Sequence, residues 1–251
     1  VFSDANSLFD RNAIRFMVEN FADPDVGYVT GRLRYVGDGA SLGGGAYMRH
    51  ENRLRSAETR IGSIIGVNGG VDAIRRELYT DIPPKLITDF VLPLHVIASG
   101  LRVIYDPRVI SCETANSEIT SEFRMRVRVA LRAMQGIVYM RRLLDPRHYP
   151  LASFCLISHK VLRYLTFMFL SVALLANIRL AYVEPLYQSL LIAHISVYAL
   201  ALLGLRGNLS QWVRRFTVIP SYFLLSNAAF MVAAIKFMRR ETIATWRPRA
   251  G

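Results

Sequence analysis

The hydrophobic and polar positions divide the chain into two parts that meet near Pro150. In the first part, short apolar runs alternate with charged and glycine-containing stretches. In the second part, residues 164–178, 186–205 and 216–235 carry no charged side chain. The last two stretches are 20 residues long, and at about 1.5 Å per residue each matches the roughly 30 Å hydrocarbon core of a bilayer. We therefore predict two membrane-spanning helices, and a third over residues 164–178 if its flanking cations snorkel to the headgroups.

The first 150 residues have the alternation of helical and extended segments that is typical of an α/β domain. A helix is predicted over residues 10–21, with apolar residues recurring on one face at Ile14, Met17, Val18 and Phe21. A strand is predicted over residues 26–35, interrupted at Gly31. The remaining predicted segments are a glycine-rich joint at 41–45, a helix at 46–61, a strand and turn at 64–70, a short helix at 72–78, a helix at 89–99 closed by Gly100 and a strand at 101–105.

The formal net charge of +12 is compatible with a nucleic-acid partner or with a membrane surface. The membrane is favoured, because the arginines and lysines crowd beside the apolar stretches and no nucleic-acid-binding signature accompanies them. With a cytosolic first part, three spans would place the basic segment at 236–251 outside, against the positive-inside rule. A re-entrant or interfacial segment around Pro220 would remove that conflict, and both topologies stay open.

An acidic turn, Asp4-Ala5-Asn6, stands almost at the start of the chain. Because so little of a strand precedes it and the first residue is not Met, we expect the sequence to be the rear part of a longer protein. A carboxylate at the end of a strand suits a hard cation such as Mg²⁺ or Mn²⁺, which prefers oxygen ligands. An ordinary Asx-turn at a strand end is the alternative.

Several motifs are informative through their order. Ser-Asp-Ala-Asn comes first, residues 66–79 read GVNGGVDAIRRELY, residues 87–107 read ITDFVLPLHVIASGLRVIYDP, and a glutamate and an arginine-rich helix precede the apolar stretches. This order resembles the family 2 glycosyltransferases of bacterial membranes, which include the synthases of cellulose, hyaluronan and poly-N-acetylglucosamine. The resemblance implies an α/β fold: the rear half of a GT-A nucleotide-sugar-binding domain in residues 1–122, an amphipathic interfacial region in 123–160, and a membrane domain with two or three helices and a basic tail in 161–251.

The resemblance also implies catalytic roles. Asp4 and Asn6 would hold Mg²⁺ or Mn²⁺, although the family usually has aspartate where this chain has Asn6, which implies weaker or water-mediated contact with the metal. Asp89 would be the general base that takes the proton of the acceptor hydroxyl. The glutamate that usually precedes this base is Thr88 here. The alternative for Asp89 is an aspartate that only stabilises the start of a helix.

Further residues would contact the substrates. Asn68, Gly69 and Gly70 would line the acceptor site, with an ordinary turn that needs positive φ as the alternative. Glu113 matches an acidic position of the family that precedes its basic helix. Trp246 matches a tail motif that returns to the pocket in some of these synthases, and an interfacial tryptophan is the alternative.

Arg128 matches the arginine of the family's processive motif and would hold the diphosphate of the donor. A basic amphipathic helix on anionic lipid is the alternative explanation. The processive motif has Gln and Trp where this chain has Met125 and Val129. This difference predicts a product of one or a few added sugars.

The resemblance thus predicts a glycosyltransferase of the bacterial cytoplasmic (inner) membrane with its catalytic part in the cytosol. It would transfer a sugar, with inversion, from a nucleotide-diphosphate sugar to a lipid-linked or polysaccharide acceptor, and no nucleic acid is expected as a partner. Two alternatives stay open: a processive polysaccharide synthase, and a catalytically inactive membrane scaffold or subunit of a polysaccharide synthesis complex. Asn6 and the incomplete arginine motif favour the inactive scaffold, and donor turnover would exclude it.

Overall fold

The computed structural model describes residues 1–36, 44–114, 118–206 and 209–243. Its strands are β1 (Leu8–Phe9), β2 (Val26–Val36), β3 (Asp72–Ile74) and β4 (Arg102–Thr114). Its α-helices are α1 (Ala13–Glu19), α2 (Gly44–Ile61), α3 (Thr88–Ala98), α4 (Ile119–Tyr139), α5 (Pro150–Leu156), α6 (Leu162–Leu180), α7 (Pro185–Gly204) and α8 (Gln211–Met238). Short 3-10 segments cover Asn20–Ala22, Arg76–Leu78 and Arg141–Leu144, and a π-helical turn, Ile157–Val161, joins α5 to α6.

The four strands form one sheet with the order β1-β4-β2-β3. β2 and β4 are parallel, and β1 and β3 flank them as antiparallel strands. The pairing of β2 with β4 shifts at Gly31, which lies opposite the segment between Tyr105 and Ile110. A Cβ at Gly31 would lie 2.5 Å from Val109 Cγ1, so this close approach needs glycine. The predicted interruption at Gly31 is therefore an irregularity within one continuous strand, and β4 continues past its predicted end at Tyr105.

The hydrophobic core lies between the sheet and the helices α3 and α4. α3 is buried along most of its length, at Phe90, Val91, Leu92, Leu94, Val96 and Ile97. α4 contributes one face to the same core, with Val127, Ala130, Leu131, Ala133 and Ile137. Gly136 lets α4 approach α3 closely, because a Cβ there would lie 2.9 Å from Phe90 Cδ1. Two alanines of α8, Ala229 and Ala233, belong to the same cluster, so the α/β domain and α8 share one core.

The buried face of α1 differs from the predicted one. Ala13 and Met17 are fully buried, whereas Ile14 and Val18 are exposed by 53% and 60%. The apolar residues that recur on one face in the sequence therefore have different environments, with Met17 in the core and Ile14 and Val18 at the surface. The short helix packs on the sheet through Ala13 and Met17, one turn apart, and these two share a cluster with Val109.

Residues 64–78 also differ from their prediction. The expected strand at 64–70 is an irregular segment that ends in a turn at Gly69 and Gly70. It donates one backbone-to-backbone hydrogen bond to the sheet, from the Ile64 N–H to the Val103 carbonyl (2.9 Å). The expected helix at 72–78 begins instead as β3, and only Arg76–Leu78 is helical. Pairing with β2 outweighs the helical preference of this segment, since tertiary contacts commonly override weak local propensities.

Three helical stretches of the described chain are long and apolar enough to cross a membrane, namely Pro150–Leu180, Pro185–Gly204 and Gln211–Met238. They contain the three apolar stretches found in the sequence, except for Leu205 at the end of the second. α8 continues through Pro220 as one helix of 28 residues. α7 and α8 pack closely at small residues, where Ser221 Oγ donates to the Ala201 carbonyl (2.8 Å) and a Cβ at Gly204 would lie 2.1 Å from that Oγ.

Candidate functional site

Two carboxylates meet at the turn formed by Gly69 and Gly70. A Cβ at Gly69 would lie 2.5 Å from Asp89 Oδ2. A Cβ at Gly70 would lie 2.9 Å from Asp4 Oδ2, and Gly70 also has a φ of +82°, which favours glycine. The missing side chains of these glycines therefore let Asp4 and Asp89, 85 positions apart in the sequence, approach neighbouring backbone atoms.

The Asp4 loop is tied to the end of β4. The Ser7 N–H donates to the Asp4 carbonyl (3.1 Å), which closes a turn in which Asn6 is exposed. Ser7 Oγ donates to Glu113 Oε1 (2.5 Å). Leu8 then pairs with Cys112 in the sheet. The predicted substrate-binding Glu113 thus lies beside the predicted metal-binding loop.

Asp89 lies in the first turn of α3, where the helix dipole favours a negative charge. Its Oδ1 is buried and accepts no hydrogen bond from the described residues. Burial raises the pKa of Asp89 to about 6, the negative charge of Asp4 acts in the same direction, and the charges of Arg132 and Lys160 oppose the rise. A carboxylate with a pKa near neutrality can accept and release a proton under physiological conditions, as a general base requires.

A third carboxylate, Asp72, lies under the turn and was missed in the sequence. Asp72 is buried in β3 and accepts a hydrogen bond from the hydroxyl of Tyr28. Burial raises the pKa of Asp72 to about 7. The negative charges of Asp89 and Asp4 also raise this pKa, whereas the hydrogen bond from Tyr28 lowers it. The segment Val71-Asp72-Ala73-Ile74 does not alternate apolar and polar residues. It was predicted to be helical, so the sequence offered no clear signal for this strand.

Asn68 holds the turn in place through hydrogen bonds within the protein. Its Nδ2 donates to the Gly31 carbonyl (2.8 Å), and its Oδ1 accepts from Arg55 Nη1 (2.7 Å). Its backbone N–H donates to Thr30 Oγ1 (3.1 Å). Both the oxygen and the nitrogen of the Asn68 amide are therefore hydrogen-bonded within the protein. The backbone of Gly69 and Gly70 is the part of the turn that faces the two carboxylates.

The arginines of α4 have different environments. Arg126 binds Glu122 (2.5 Å), donates to Ser226 (3.0 Å) and stacks on the ring of Tyr222, so it joins α4 to α8. Arg128 is half-buried. Arg132, one helical turn further and on the same side of α4, donates to the carbonyls of Pro84 (3.1 Å) and Leu86 just before α3. Arg132 therefore brings a positive charge to the neighbourhood of Asp89.

A cluster of buried charges joins α2 to the first apolar helix. His159 Nε2 lies 3.2 Å from Glu51 Oε2, and His159 Nδ1 lies 2.9 Å from Glu58 Oε1. Arg163 Nη2 lies 2.6 Å from Glu51 Oε1, and Arg55 of the same cluster reaches Asn68. Although burial favours the neutral acid, the hydrogen bond from His159 and the charges of Lys160 and Arg163 hold the pKa of Glu51 well below its usual range.

This cluster was not predicted, although the sequence carries a signal for it. Glu51, Arg55 and Glu58 recur at the spacing of one helical face of α2. Such a charged face is usually solvated. Here it is buried because the π-helical turn places His159 against it.

The described residues offer few ligands for a metal ion. No group of three or more His, Cys, Asp or Glu side chains in the described part of the chain is arranged to hold one. Asp4 is nevertheless exposed beside the turn, and a single carboxylate is a suitable partner for a cation whose other ligands are phosphate oxygens and water. The residues present therefore fit a metal that arrives with a phosphate-bearing substrate. The predicted Trp246 lies outside the described residues.

Comparisons with known proteins bear on the fold. No protein-family profile and no curated protein matches the chain. Among solved structures, the chain is similar to the mannosyltransferase PcManGT from Pyrobaculum calidifontis, solved in complex with GDP-Man and Mn²⁺. The identity is 23% and the TM-score 0.66 over 96% of this chain, which covers 62% of the length of that protein.

This similarity shows the fold. The chain shares the α/β fold of the solved mannosyltransferase, and long apolar helices follow its α/β part. The predicted fold class is thereby confirmed.

Proposed function

We propose that this protein transfers a sugar from a nucleotide-diphosphate sugar to an acceptor at a membrane surface. The observation that carries the proposal is the convergence of Asp4 and Asp89 on the Gly69–Gly70 turn of a glycosyltransferase fold. The solved mannosyltransferase with this fold binds GDP-Man and Mn²⁺. Two carboxylates against neighbouring glycines of one turn can supply the two functions that such a transfer needs, a metal ligand and a base.

Asp89 is the proposed general base. The oxygen of an acceptor hydroxyl bonds to the anomeric carbon, its proton passes to the Asp89 carboxylate, and the bond from that carbon to the diphosphate oxygen breaks. The nucleoside diphosphate then leaves. Attack from the face opposite to the leaving group inverts the anomeric centre, as the family resemblance implies. The raised pKa of Asp89 supports this assignment, because it brings proton affinity close to the working pH.

Asp4, with Asn6 in the same turn, is the proposed partner of Mg²⁺ or Mn²⁺. When bound, the cation would neutralise charge that develops on the leaving diphosphate. Glu113 holds the Asp4 loop through Ser7 and is proposed to line the donor side of the site. Arg128 is proposed to contact the diphosphate, and its position on α4 one turn before Arg132 supports this.

The acceptor side is assigned to the Asn68–Gly70 turn and, from the tail, to Trp246. Asn68 acts by fixing the turn. The missing side chains of Gly69 and Gly70 let Asp89 and Asp4 lie against the turn, so a glycan or lipid-linked acceptor bound there would lie beside the proposed base. The three apolar helices support a location in a bilayer. We assign the protein to the bacterial cytoplasmic membrane with its α/β part in the cytosol, where nucleotide sugars are found.

Donor turnover tests the proposal. The complete protein is reconstituted in lipid nanodiscs and incubated with a panel of GDP-, UDP- and dTDP-sugars, with Mg²⁺ or Mn²⁺ and then with excess EDTA. We expect release of nucleoside diphosphate from one donor class, its loss in EDTA and its recovery on adding metal back. No turnover of any donor by a protein that is folded and lipid-reconstituted would contradict the proposal and favour the inactive scaffold.

A further inference from the structure

Lys160 is carried by the π-helical turn that begins the first apolar helix. Turns of this kind contain one extra residue per turn and occur frequently at functional sites. Here the turn directs two neighbouring residues to different places. His159 enters the buried charge cluster on α2, whereas Lys160 reaches the loop before the Gly69–Gly70 turn.

The ammonium of Lys160 lies beside the candidate active site. Its Nζ is 2.6 Å from the position that a Cβ of Gly66 would take, and 5.9 Å from the centroid of the Phe90 ring. Gly66 precedes Gly69 by three residues, and Phe90 follows Asp89 directly. The first apolar helix thus delivers a positive charge to the same loop and helix start that hold the proposed base.

This ammonium has hydrogen-bonding capacity that the described residues do not use. The nearby carboxylates are engaged elsewhere, Glu51 with His159 and Arg163, and Glu58 with His159 and the Ile65 N–H. In the described part of the chain, Lys160 forms neither an ion pair nor a hydrogen bond, and it is half-buried. An ammonium has three N–H donors, which an anionic ligand can satisfy. The position is therefore suited to an anionic ligand.

The helix places this cation at the expected depth of lipid headgroups. α6 begins two residues after Lys160 and has 19 residues, which at about 1.5 Å each nearly match the roughly 30 Å hydrocarbon core. If α6 spans the core, Lys160 lies at its edge, on the side of the α/β domain. A phosphate at the head of a membrane lipid can reach this point while its acyl or isoprenoid chain stays in the bilayer.

On these grounds, and resting on the proposed function, we propose that Lys160 binds the phosphate of a lipid-linked acceptor and so presents the acceptor to Asp89. Lysine is a frequent phosphate ligand, acting as a compact point charge. The diphosphate of the donor has the same chemistry, but it is expected with the metal at Asp4, whereas Lys160 lies against Gly66 and Phe90. No bond is made or broken at Lys160, since its role is to hold the acceptor.

Binding measurements with defined probes test this assignment without depending on turnover. The complete protein in phosphatidylcholine nanodiscs is titrated with farnesyl monophosphate, and farnesol serves as the uncharged control ligand. Separate titrations use GDP and UDP in the presence of Mn²⁺. The variants are Lys160→Gln, which removes the charge, and Lys160→Arg, which keeps it. Arg179→Gln, an exposed cation at the other end of α6, is the matched control.

We expect Lys160→Gln to weaken farnesyl monophosphate binding by roughly tenfold or more, the usual worth of a charge-assisted hydrogen bond. Farnesol and nucleoside diphosphate binding should be unchanged, Lys160→Arg should retain most of the affinity, and Arg179→Gln should resemble the wild type. Weakened nucleoside diphosphate binding with unchanged farnesyl monophosphate would overturn the lipid assignment in favour of the donor. Unchanged binding of every probe would overturn the phosphate site altogether, even if sugar transfer itself were established.

Discussion

Asp89 fills the space that a side chain at Gly69 would occupy, with its Oδ2 2.5 Å from that Cβ position. A methyl group at residue 69 must therefore displace the carboxylate or the turn. We expect Gly69→Ala to lower transfer at least tenfold, since misplacement of a catalytic group by about 1 Å can cost roughly 10²-fold. Gly45→Ala is the control, because its Cβ would meet only Arg49 at 3.7 Å. Near-normal turnover of Gly69→Ala would mean that the contact does not set the catalytic geometry.

The pKa of Asp89 gives a prediction for pH dependence. The base must be ionised, so kcat/KM should rise with pH through about 6 and level off above it. Arg132 lowers this pKa through its positive charge. Arg132→Gln should therefore raise the pKa and move the acidic limb of the pH profile to higher pH, with a larger loss of activity at pH 6 than at pH 8.

The control for this prediction is Arg124→Gln, an exposed arginine on the same helix. Its pH profile should follow the wild type. An acidic limb that stays in place in Arg132→Gln would show that this arginine does not act on the base.

The Asp4 turn offers a test of metal binding. Asn6 is exposed in the same turn as Asp4, and Asn6→Asp adds a charged oxygen ligand there. The curve of activity against Mn²⁺ or Mg²⁺ concentration should shift to lower metal concentration. Asn12→Asp, an exposed asparagine just before α1, should leave the curve unchanged. The same curve in both variants would place the side chain of Asn6 away from the metal.

The buried charge cluster should matter for stability. Glu51→Ala leaves His159 and Arg163 without their shared carboxylate in a buried setting. Removing one partner of a buried ion pair typically costs about 3–5 kcal/mol. Glu19→Ala, which removes exposed pairs with Arg15 and Arg108, should cost about 1 kcal/mol or less. The free energy of unfolding in detergent, followed by circular dichroism, compares them, and equal losses would contradict the importance of the cluster.

Features that depend on local sequence were predictable. The three apolar stretches, the helix closed by Gly100 and the strand starting at Val26 follow from runs of similar residues or from a single turn residue. Gly100 has the expected positive φ of +84°. Candidate residues such as Asp4 and Asp89 came from motifs that resemble a known family, so their chemistry could be expected, while their mutual position could not.

Features that depend on tertiary contacts could not be predicted from the sequence. Asp72 belongs to a strand because β3 pairs with β2. Which face of α1 is buried depends on the sheet against which the helix packs. Glu51 and Glu58 resemble surface residues until the π-helical turn brings His159 against them. The partners of Asp72 and of Glu51 and Glu58 lie more than 40 positions away in the chain, and α1 packs on β4 as well as on the nearby β2.

The most direct test of the proposed mechanism is the activity of Asp89→Asn in the complete, lipid-reconstituted protein. Asparagine keeps the shape of the side chain beside Gly69 but cannot take a proton, so donor binding should stay within a few fold while transfer falls by roughly 10²–10⁴. The matched control is Asp81→Asn, at an exposed aspartate. Kinetics with a radiolabelled nucleotide sugar decide the matter: transfer by Asp89→Asn at the rate of Asp81→Asn would contradict the role of Asp89 as the catalytic base.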